Sequence, residues 1–568
     1  MVDSKPSVKR IFRLSGLLSL QTALILLIVF SFLVQAVFLN RLAFLPGDDS
    51  LYHVGQIAKI ASGQGIELTG YPPLMHLILG FLALCFHWAP DTLLLWSTVI
   101  IVSLLPVTFY FSALAITKDR KTSLLTSGLS FLFIGFPAFI YNYGGFPFLW
   151  GTTLLPMTTG LLVLALERKS LIWGGVFAFS LIVLFFVHAP EFVTALIFIL
   201  AIILGKTISH EIDWGKAIRW VLGLAFIAGF PLVIFALQTG FFSQKLPAVL
   251  GDIHYSIQFN SSISNLGKTL GQILLDYFIS PLNLVFLAAF VYGTLRSFQK
   301  KRSGELIPLF MFIFLFIFLL DSLSFQLFKP FYDLIYPWSL PGRLWISLQF
   351  PFCLLAANGF FGLAEIFIKK MGKRKAVFIP VITINALLFI VTPFVVNQAY
   401  LFSLKYSSAG GEKDEKALEW IRSTTASDSV FLNDASFFLD DGSYTYRPTD
   451  AGGWIYIYTQ REVVFPYPAV ESVVPGKKLL TAFSQGEKMQ APTEEELSKV
   501  DYVYYGSKTA YGRKRTLRLK GLFKSPFLEL VYASVPVDPE DPKEDEVYIF
   551  KIIKNRVPLP ETFEVNKD

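Results

Sequence analysis

The 568-residue sequence contains few charged side chains and almost no cysteine. Asp, Glu, Lys and Arg make up 16% of it, whereas a soluble globular protein carries about 25%. The two cysteines, Cys85 and Cys353, lie in apolar stretches and cannot form a disulfide framework. The composition therefore excludes an ordinary soluble protein, and cysteine usage gives no information about the compartment.

Familiar short catalytic motifs are also missing. The sequence has no P-loop, no GxSxG, no HExxH and no paired CxxC. It also has no internal repeat and no low-complexity tract. A catalytic function therefore has to be inferred from residues outside these motifs.

Apolar residues are abundant instead, with 54% hydrophobic residues, 57 phenylalanines and a mean hydropathy of +0.55. This composition is typical of an α-helical polytopic membrane protein. The apolar runs predict about eleven transmembrane helices. We place them near residues 14–39, 91–116, 122–140, 148–166, 171–188, 191–205, 218–238, 271–295, 305–322, 344–368 and 376–399.

The basic residues orient these predicted helices. Before residue 400, the segments on the side of the N-terminus hold 21 Lys and Arg, and those on the opposite side hold six. Basic residues concentrate in cytoplasmic loops, so we predict a multi-pass protein of the cell membrane with a cytoplasmic N-terminus. The same distribution accounts for the formal net charge of +7 without a nucleic-acid partner.

The apolar material that follows the first outer loop is interrupted near His87. Two spans here would place the basic cluster at 118–121 outside, against the charge distribution. We therefore predict one span, at 91–116, preceded by a helix over 72–86 that lies along the outer interface. At about 15 residues this helix is shorter than the ~20 that a transmembrane helix needs.

A long polar stretch from Pro46 to His76 falls outside the membrane in this topology. Its ionisable side chains include two adjacent carboxylates and two imidazoles, namely Asp48, Asp49, His53 and His76. A cluster of this kind at a helix exit is either an active site or a well-capped loop.

A helix over 50–61 would bring Asp49, His53 and Gln56 onto one face, where the imidazole could orient the carboxylate or a substrate. The alternative is that Asp48 or Asp49 only caps the start of that helix. The two roles are compatible, because one aspartate can cap while the other faces a cavity.

The composition changes after residue 400, where 22 of the 49 Lys and Arg occur without any apolar run of span length. We predict a transmembrane domain over 1–399, whose first outer loop covers 40–90 and contains interfacial helices, and an extracytoplasmic α/β domain over 400–568. The charged segment 410–416 is the predicted linker. Helices are predicted near 412–422 and 493–499, and strands in SVFLN, GWIYIY, EVVF, DYVYYG, LELVYA and EVYIFKI.

Together these features resemble the GT-C superfamily of membrane glycosyltransferases. The resemblance rests on one span from a cytoplasmic N-terminus, an outer loop with an Asp and a nearby His, and a Tyr-Pro-Pro turn into an interfacial helix. The phrases WIRSTTASDSVFLND, GGWIYIYTQREVVF and VDYVYYG are also similar to segments of the soluble domains of such enzymes, including oligosaccharyltransferase catalytic subunits. A more distant similarity is to mannosyl- and aminoarabinosyl-type transferases. The likeness covers most of the chain in architecture but only short patches in sequence.

The resemblance implies an inverting enzyme that uses a sugar linked to polyprenyl phosphate or diphosphate. Transfer would occur on the outer face of the bilayer, to a lipid, glycan or protein acceptor. In GT-C enzymes the first-loop Asp serves as the base or helps to bind a metal; here it maps to Asp48 or Asp49, and we favour Asp49. A divalent metal, Mg²⁺ or Mn²⁺, at Asp49 and His53 is compatible with the family, but no ligand spacing in the sequence specifies it.

The departing phosphate requires a positive group. Arg343 lies at the outer start of the predicted span 344–368, and its planar guanidinium matches phosphate oxygens. Lys329 is a second candidate, and a snorkelling interfacial arginine is the alternative for Arg343. The remaining predicted cavity-lining residues are His188, Glu191, Tyr71 and His76.

One family feature is missing. Oligosaccharyltransferases carry a Trp-Trp-Asp motif that recognises the acceptor sequon, whereas the matching region here reads TDAGGWI. Transfer to asparagine is therefore not expected. Two non-enzymatic alternatives stay open, a transporter or flippase and an inactive GT-C-like assembly protein. The concentration of ionisable residues at the outer surface, away from the midplane, disfavours the transporter.

Overall fold

The structure is a computed structural model, and every element described below lies within the residues that it describes. These are residues 8–40, 42–47, 49–64, 73–130, 144–220, 281–300, 302–321, 346–370, 408–440, 443–465, 469–470, 474–484, 493–510 and 513–554, with positions 137, 140–141, 222–223, 226, 229, 233 and 344.

The described residues before 400 are helical, and we number their helices in chain order. They are α1 Val8–Leu39, α2 Asp49–Ala61, α3 Leu74–Phe86, α4 Pro90–Ser103, α5 Leu105–Thr117, α6 Arg120–Gly128, α7 Phe146–Arg168, α8 Leu171–Val187, α9 Ala189–Ile208, α10 Pro281–Lys300, α11 Ser303–Leu320 and α12 Gln349–Lys370.

Five helices of the described part are long and apolar enough to cross a membrane. They are Pro90–Thr117, which joins α4 and α5, and Phe146–Arg168, Ala189–Ile208, Ser303–Leu320 and Gln349–Ile366. The predicted count of eleven stays a prediction, because the spans at 218–238 and 376–399 lie largely or wholly outside the described residues. The predicted span at 122–140 starts as α6, but this helix is nine residues long and ends at Gly128.

The first outer loop folds into two short helices, α2 and α3. At 13 residues, α3 is shorter than a transmembrane helix needs to be. It ends at His87, which adopts a left-handed conformation with φ 53°, and Pro90 then starts α4. A left-handed residue and a proline are common helix terminators, so the break near His87 separates two helices as the sequence predicts. An interfacial position of α3 stays a prediction.

Close backbone contact joins α10 and α12, a helix pair that packs extensively. A β-carbon at Gly293 would lie 2.0 Å from the Leu355 carbonyl oxygen, and one at Gly359 would lie 1.7 Å from that of Ala289. Only glycine permits this approach, and small residues at helix crossings are typical of membrane bundles.

The described residues after 408 mix strands with short helices. The elements are α13 Glu412–Thr424, β1 Val430–Leu432, β2 Ala435–Asp440, β3 Ser443–Pro448, a 3₁₀ helix Ala451–Trp454, α14 Ile455–Thr459, β4 Glu462–Val463, β5 Ala469–Val470, α15 Val474–Ser484, α16 Glu494–Ser498, β6 Tyr502–Tyr505, α17 Leu519–Lys524, β7 Leu528–Ala533 and β8 Tyr548–Ile552.

These strands form two sheets. The larger has the order β4-β1-β6-β8-β7 and is mixed, since β1 runs parallel to β4 and β6, whereas β8 is antiparallel to β6 and β7. The smaller is antiparallel, with the order β2-β3-β5. The predicted domain boundary at residue 400 lies outside the described residues and stays a prediction.

The predicted strand GWIYIY is wrong, because residues 451–459 are helical. The carboxylate of Asp450 accepts a hydrogen bond from the Gly452 amide at 2.9 Å and caps the 3₁₀ helix. Ile455 and Thr459, four residues apart, are buried, and Tyr456 is 40% exposed. This spacing fits a helix whose first turn is fixed by an Asp cap.

The predicted linker at 410–416 is also wrong, since α13 begins at Glu412. Asp414 accepts a hydrogen bond from the Gly411 amide at 2.9 Å, which fixes the start of this helix. A β-carbon at Gly410 would lie 2.7 Å from the ring of Phe44, in the first outer loop. The charged residues therefore form the capped first turn of α13, and Gly410 before them packs against Phe44.

One hydrophobic cluster crosses from the helical region into the C-terminal region. Phe44 packs against Trp454 with ring centroids 5.7 Å apart and against Tyr458 at 5.8 Å. The Tyr458 hydroxyl donates to Asp91, at the start of α4, at 2.6 Å. The C-terminal region is thus docked on the first outer loop.

Candidate active site

The predicted helix of the first outer loop is present as α2, and its first residue is Asp49. Asp49 is half-buried, and His53 and Gln56 are 2% and 5% exposed. Because these residues are spaced i, i+4, i+7, they share one face of α2. This face is partly exposed at Asp49 and buried at His53 and Gln56. Asp48 lies outside the described residues, so a capping role for it stays a prediction.

A tight turn before α7 holds the start of α2 in place. Gly144 has φ +84°, and a β-carbon on it would lie 2.5 Å from the Ser50 amide nitrogen and 2.9 Å from the Ser50 hydroxyl. The Ser50 hydroxyl in turn donates to the carbonyl of Pro46. Only glycine combines this positive φ with so close an approach, so this turn fixes where Asp49 begins the helix.

His53 and His76 form a buried imidazole pair. Nδ1 of His53 lies 2.9 Å from Nε2 of His76, and the rings stack with centroids 5.1 Å apart. Burial lowers the pKa of His53 well below its usual value, with smaller effects from the imidazoles of His76 and His188. Burial also lowers the pKa of His76 to about 4. Both rings are therefore neutral near pH 7, and one donates the shared hydrogen bond while the other accepts it.

A second buried pair lies in the turn between α8 and α9. Nδ1 of His188 contacts the Glu191 carboxylate, and both side chains are 1% exposed. Glu191 also accepts a hydrogen bond from the Ser347 hydroxyl at 3.4 Å. A carboxylate buried this deeply needs such partners, because an isolated charge is costly away from water.

The first turn of α7 contacts both the His53–His76 pair and the His188–Glu191 pair. The ring of Phe146 meets His53 edge-on at 6.3 Å, and Phe148 stacks on His188 at 5.1 Å. His188 also acts electrostatically on His53. The structure therefore brings His53, His76, His188 and Glu191 into one buried polar cluster, which we call the outer cluster, beside the helix that Asp49 begins.

Several predicted site residues lie outside the described residues, so their roles stay predictions. They are Asp48, Tyr71, Lys329 and Arg343. In the described part of the chain, no group of three or more His, Cys, Asp and Glu is arranged to hold a metal ion. A divalent metal at Asp49 and His53 stays a prediction, and the mechanism below uses side chains of the chain alone.

Ser347 and Phe148 contact the outer cluster, but no pattern in the sequence selects them. Phe148 is one of 57 phenylalanines, and its stacking on His188 depends on the packing of α7 against the α8–α9 turn. Ser347 reaches Glu191 from a segment 156 residues away in the chain. A periodicity or motif in either segment would not reveal these contacts.

The architecture is similar to that of two GT-C glycosyltransferases of known structure. The oligosaccharyltransferase of Archaeoglobus fulgidus, crystallised with zinc and sulfate, has 12% sequence identity and a TM-score of 0.50, with 84% of this chain and 67% of that chain covered. The arabinofuranosyltransferase AftD from Mycobacteria has 11% identity and a TM-score of 0.55, with 93% and 40% covered. This chain therefore spans about two fifths of the mycobacterial enzyme.

At these identities the comparison shows the fold alone, and the protein is a multi-pass membrane protein with a GT-C-like fold. It belongs to DUF6541, a family of unknown function, whose model matches residues 14–536. No curated protein sequence is significantly similar to it.

Proposed function

We propose that this protein is a membrane glycosyltransferase that takes a sugar from a polyprenyl-phosphate or polyprenyl-diphosphate donor. The observation that carries the proposal is the position of Asp49, half-buried at the start of α2 and beside the outer cluster, in a GT-C-like fold. The first-loop aspartate that the family resemblance selects thus begins the helix that carries His53 of the outer cluster.

In the proposed reaction Asp49 is the general base. Its carboxylate accepts the proton of the acceptor hydroxyl while the oxygen attacks the anomeric carbon. The bond between that carbon and the donor phosphate breaks, the configuration inverts, and the phosphate leaves with the bonding electrons. The first turn of a helix favours negative charge, which suits an ionised carboxylate at the first position of α2.

The outer cluster has a positioning role in this proposal. His53 follows Asp49 by one helical turn, and its hydrogen bond to His76 fixes the orientation of its ring. The His188–Glu191 pair is anchored by Phe148 and Ser347. Rigid, desolvated groups hold a reacting carboxylate in place better than solvated ones. The proposed phosphate partners are Arg343 and Lys329.

Donor consumption tests the proposal. Purified protein in lipid nanodiscs is supplied with a panel of polyprenyl-phosphate and polyprenyl-diphosphate sugars, and release of the lipid phosphate is measured. Asp49→Asn is expected to lower the rate by about 10²–10⁴-fold, the usual contribution of a general base. Asp428→Asn, at an exposed carboxylate of the C-terminal region, is the matched control and should retain the rate.

Asp48→Asn separates the two aspartates. Asparagine caps a helix as well as aspartate does, so this variant removes a charge and preserves any capping by residue 48. Retained activity assigns the base to Asp49, whereas a loss confined to Asp48→Asn assigns it to Asp48. Unchanged donor consumption in both variants and in their combination would overturn the proposal.

A further inference from the structure

A basic segment in the C-terminal region has no role in the reaction described above. Between Asp501 and Glu529 the sequence holds seven Lys and Arg and no Asp or Glu. We call residues 508–524 the basic segment, and its charged residues are Lys508, Arg513, Lys514, Arg515, Arg518, Lys520 and Lys524. The predicted topology puts it outside, where the bias toward cytoplasmic basic residues does not explain it.

Arg515 is held in a fixed orientation. Its guanidinium carbon lies 4.1 Å from the centroid of the Tyr505 ring. Its Nη1 lies 3.8 Å from the Asp450 carboxylate, and its side chain is 13% exposed. Nη2 donates to the Glu544 carbonyl at 3.4 Å. Stacking and these polar contacts leave little conformational entropy for Arg515 to lose when an anion binds.

The backbone of the basic segment is fixed by Asp434. The amides of Thr516 and Leu517 each donate to this buried carboxylate at 3.0 Å. The Thr516 hydroxyl donates to the Ala435 carbonyl at 2.7 Å. Asp434 also accepts a hydrogen bond from the Thr449 hydroxyl at 2.6 Å.

The outward-facing cations of the basic segment are not neutralised by neighbours. Lys514, Arg518, Lys520 and Lys524 are exposed, and none forms an ion pair with a described residue. Burial, with the nearby charge of Asp434, raises the pKa of Asp450 to about 8. The raised pKa reduces the negative charge that Asp450 places beside the basic segment.

A chain of contacts connects the basic segment to the first outer loop. Asp450, beside Arg515, caps the 3₁₀ helix through the Gly452 amide. A β-carbon on the next residue, Gly453, would lie 2.8 Å from Cδ1 of Leu51 in α2. Leu51 follows Asp49 by two residues, so the segment is linked through three residues to the helix that carries the proposed base.

We propose that the basic segment binds an anionic acceptor, a glycan that carries carboxylate or phosphate groups, and delivers it to the start of α2. The identification of this anion as the acceptor rests on the proposed function; the binding itself does not. The fixed guanidinium of Arg515 suits an oriented carboxylate or phosphate, and the lysines and Arg518 attract the rest of the chain.

An anionic membrane surface is the other partner that a basic face can bind. The transmembrane helices already hold the protein in the bilayer, so surface attraction to lipid adds little to anchoring. An arginine that is fixed by stacking on an aromatic ring is also more typical of a site that recognises one oriented anionic group than of a surface that contacts mobile lipid headgroups. A soluble anionic glycan is therefore the partner that the geometry favours.

Binding of defined polymers tests the proposal on the full-length protein in phosphatidylcholine nanodiscs. The probes are polygalacturonate, its methyl-esterified neutral form, and polyphosphate. We expect saturable binding of at least one anionic polymer and none of the esterified one. The combined variant Lys514→Gln, Arg518→Gln and Lys520→Gln, which spares the half-buried arginines, should bind at least tenfold more weakly.

The combined variant Lys416→Gln, Lys499→Gln and Lys551→Gln is the matched control, since it removes three exposed charges elsewhere in the C-terminal region. Unaltered affinity in the first variant, equal losses in both, or binding of the esterified polymer would overturn the proposal. So would loss of binding in phosphatidylglycerol nanodiscs, which would assign the basic segment to lipid headgroups. Equal melting temperatures of all three proteins exclude misfolding as the cause.

The outcome is separable from that of the proposed function. Asp49→Asn should bind the anionic polymer with the affinity of the unaltered protein. Polymer binding without Asp49-dependent donor consumption would leave the basic segment as an anion-binding surface and remove the acceptor role. Donor consumption without polymer binding would support the proposed function and overturn the proposal for the basic segment.

Discussion

Burial keeps the two imidazoles of the first outer loop neutral. His53 and His76 are each 2% exposed and share a hydrogen bond of 2.9 Å, so protonation of both would place two positive charges side by side away from water. Burial lowers both pKa values, that of His76 to about 4, and the imidazoles of His76 and His188 lower the pKa of His53 further. In an unfolded chain the same groups would titrate near 6.5.

This difference predicts that the protein loses stability in mild acid. Below pH 6.5 these imidazoles bind protons in the unfolded state but not in the folded state. The free energy of unfolding therefore falls as the pH falls toward 4. For His76 the expected loss between pH 7 and pH 5 is about 2 kcal/mol. The measurement is the apparent melting temperature of the detergent-solubilised protein at the two pH values.

His76→Gln provides the comparison, because glutamine keeps a polar side chain next to His53 but does not titrate. Its melting temperature should be lower than that of the unaltered protein at pH 7 and should depend less on pH. An identical pH dependence in the two proteins would contradict neutral burial of this pair and assign the acid sensitivity to other groups.

Contacts with two other segments of the chain fix the position of helix α2. Its start lies against Gly144, and its buried face meets α3 through the His53–His76 pair. The periodicity of 50–61 predicts the helix and its polar face. It does not predict the partner of that face, because the contacts come from segments that are distant in the chain.

Gly144→Ala is therefore expected to damage the site through α2. The new methyl group would lie 2.5 Å from the Ser50 amide, in a residue with φ +84°. We expect destabilisation by about 1–3 kcal/mol, together with loss of donor consumption, because the position of Asp49 changes. Thermal unfolding and the donor assay measure the two effects.

Gly55→Ala, within α2 itself, is the matched control. No atom lies within 4 Å of a β-carbon at this position, and alanine favours a helix over glycine by about 0.5–1 kcal/mol. This variant should be at least as stable as the unaltered protein and equally active. If both variants behaved alike, the close turn at Gly144 would not position α2.

The helix over 451–459 shows where local pattern is insufficient. GWIYIY has the β-branched and aromatic composition of a strand, but it forms a 3₁₀ helix followed by α14. The Asp450 cap and the burial of Trp454 against Phe44 outweigh the local preference. The predicted strand in DYVYYG, in contrast, is present as β6. There the strand propensity and the burial of the side chains agree.

Across the whole protein, the predicted topology separates two groups of polar side chains. The outer cluster lies on one side of the membrane, and the ion pairs of Lys206 lie at the opposite ends of the helices, on the other side. Glu167, at the end of α7, and Glu211, after α9, both pair with Lys206, at 3.0 and 2.9 Å. The basic residues of these helix ends set the predicted cytoplasmic side.

Cysteine labelling checks this topology. Ser62, after α2, and Lys169, after α7, are both exposed, and Cys85→Ser removes the exposed native thiol while Cys353 is buried. In intact cells an impermeant maleimide should label the Ser62→Cys variant. It should label the Lys169→Cys variant only after permeabilisation. Labelling of both positions from the same side would contradict the arrangement on which the site assignments rest.

The sequence alone is sufficient to predict a multi-pass membrane protein, the helices of the first outer loop and the break before the span at 91–116. These features follow from composition, charge bias and periodicity, which act over a few neighbouring residues. The sequence also selects His188 and Glu191 as cavity-lining residues. Their contacts with Ser347 and Phe148, and the docking of the C-terminal region on Phe44 and Asp91, are visible in the folded structure alone. Such contacts depend on how segments that are distant in the chain pack together. No short pattern in the sequence reveals that packing.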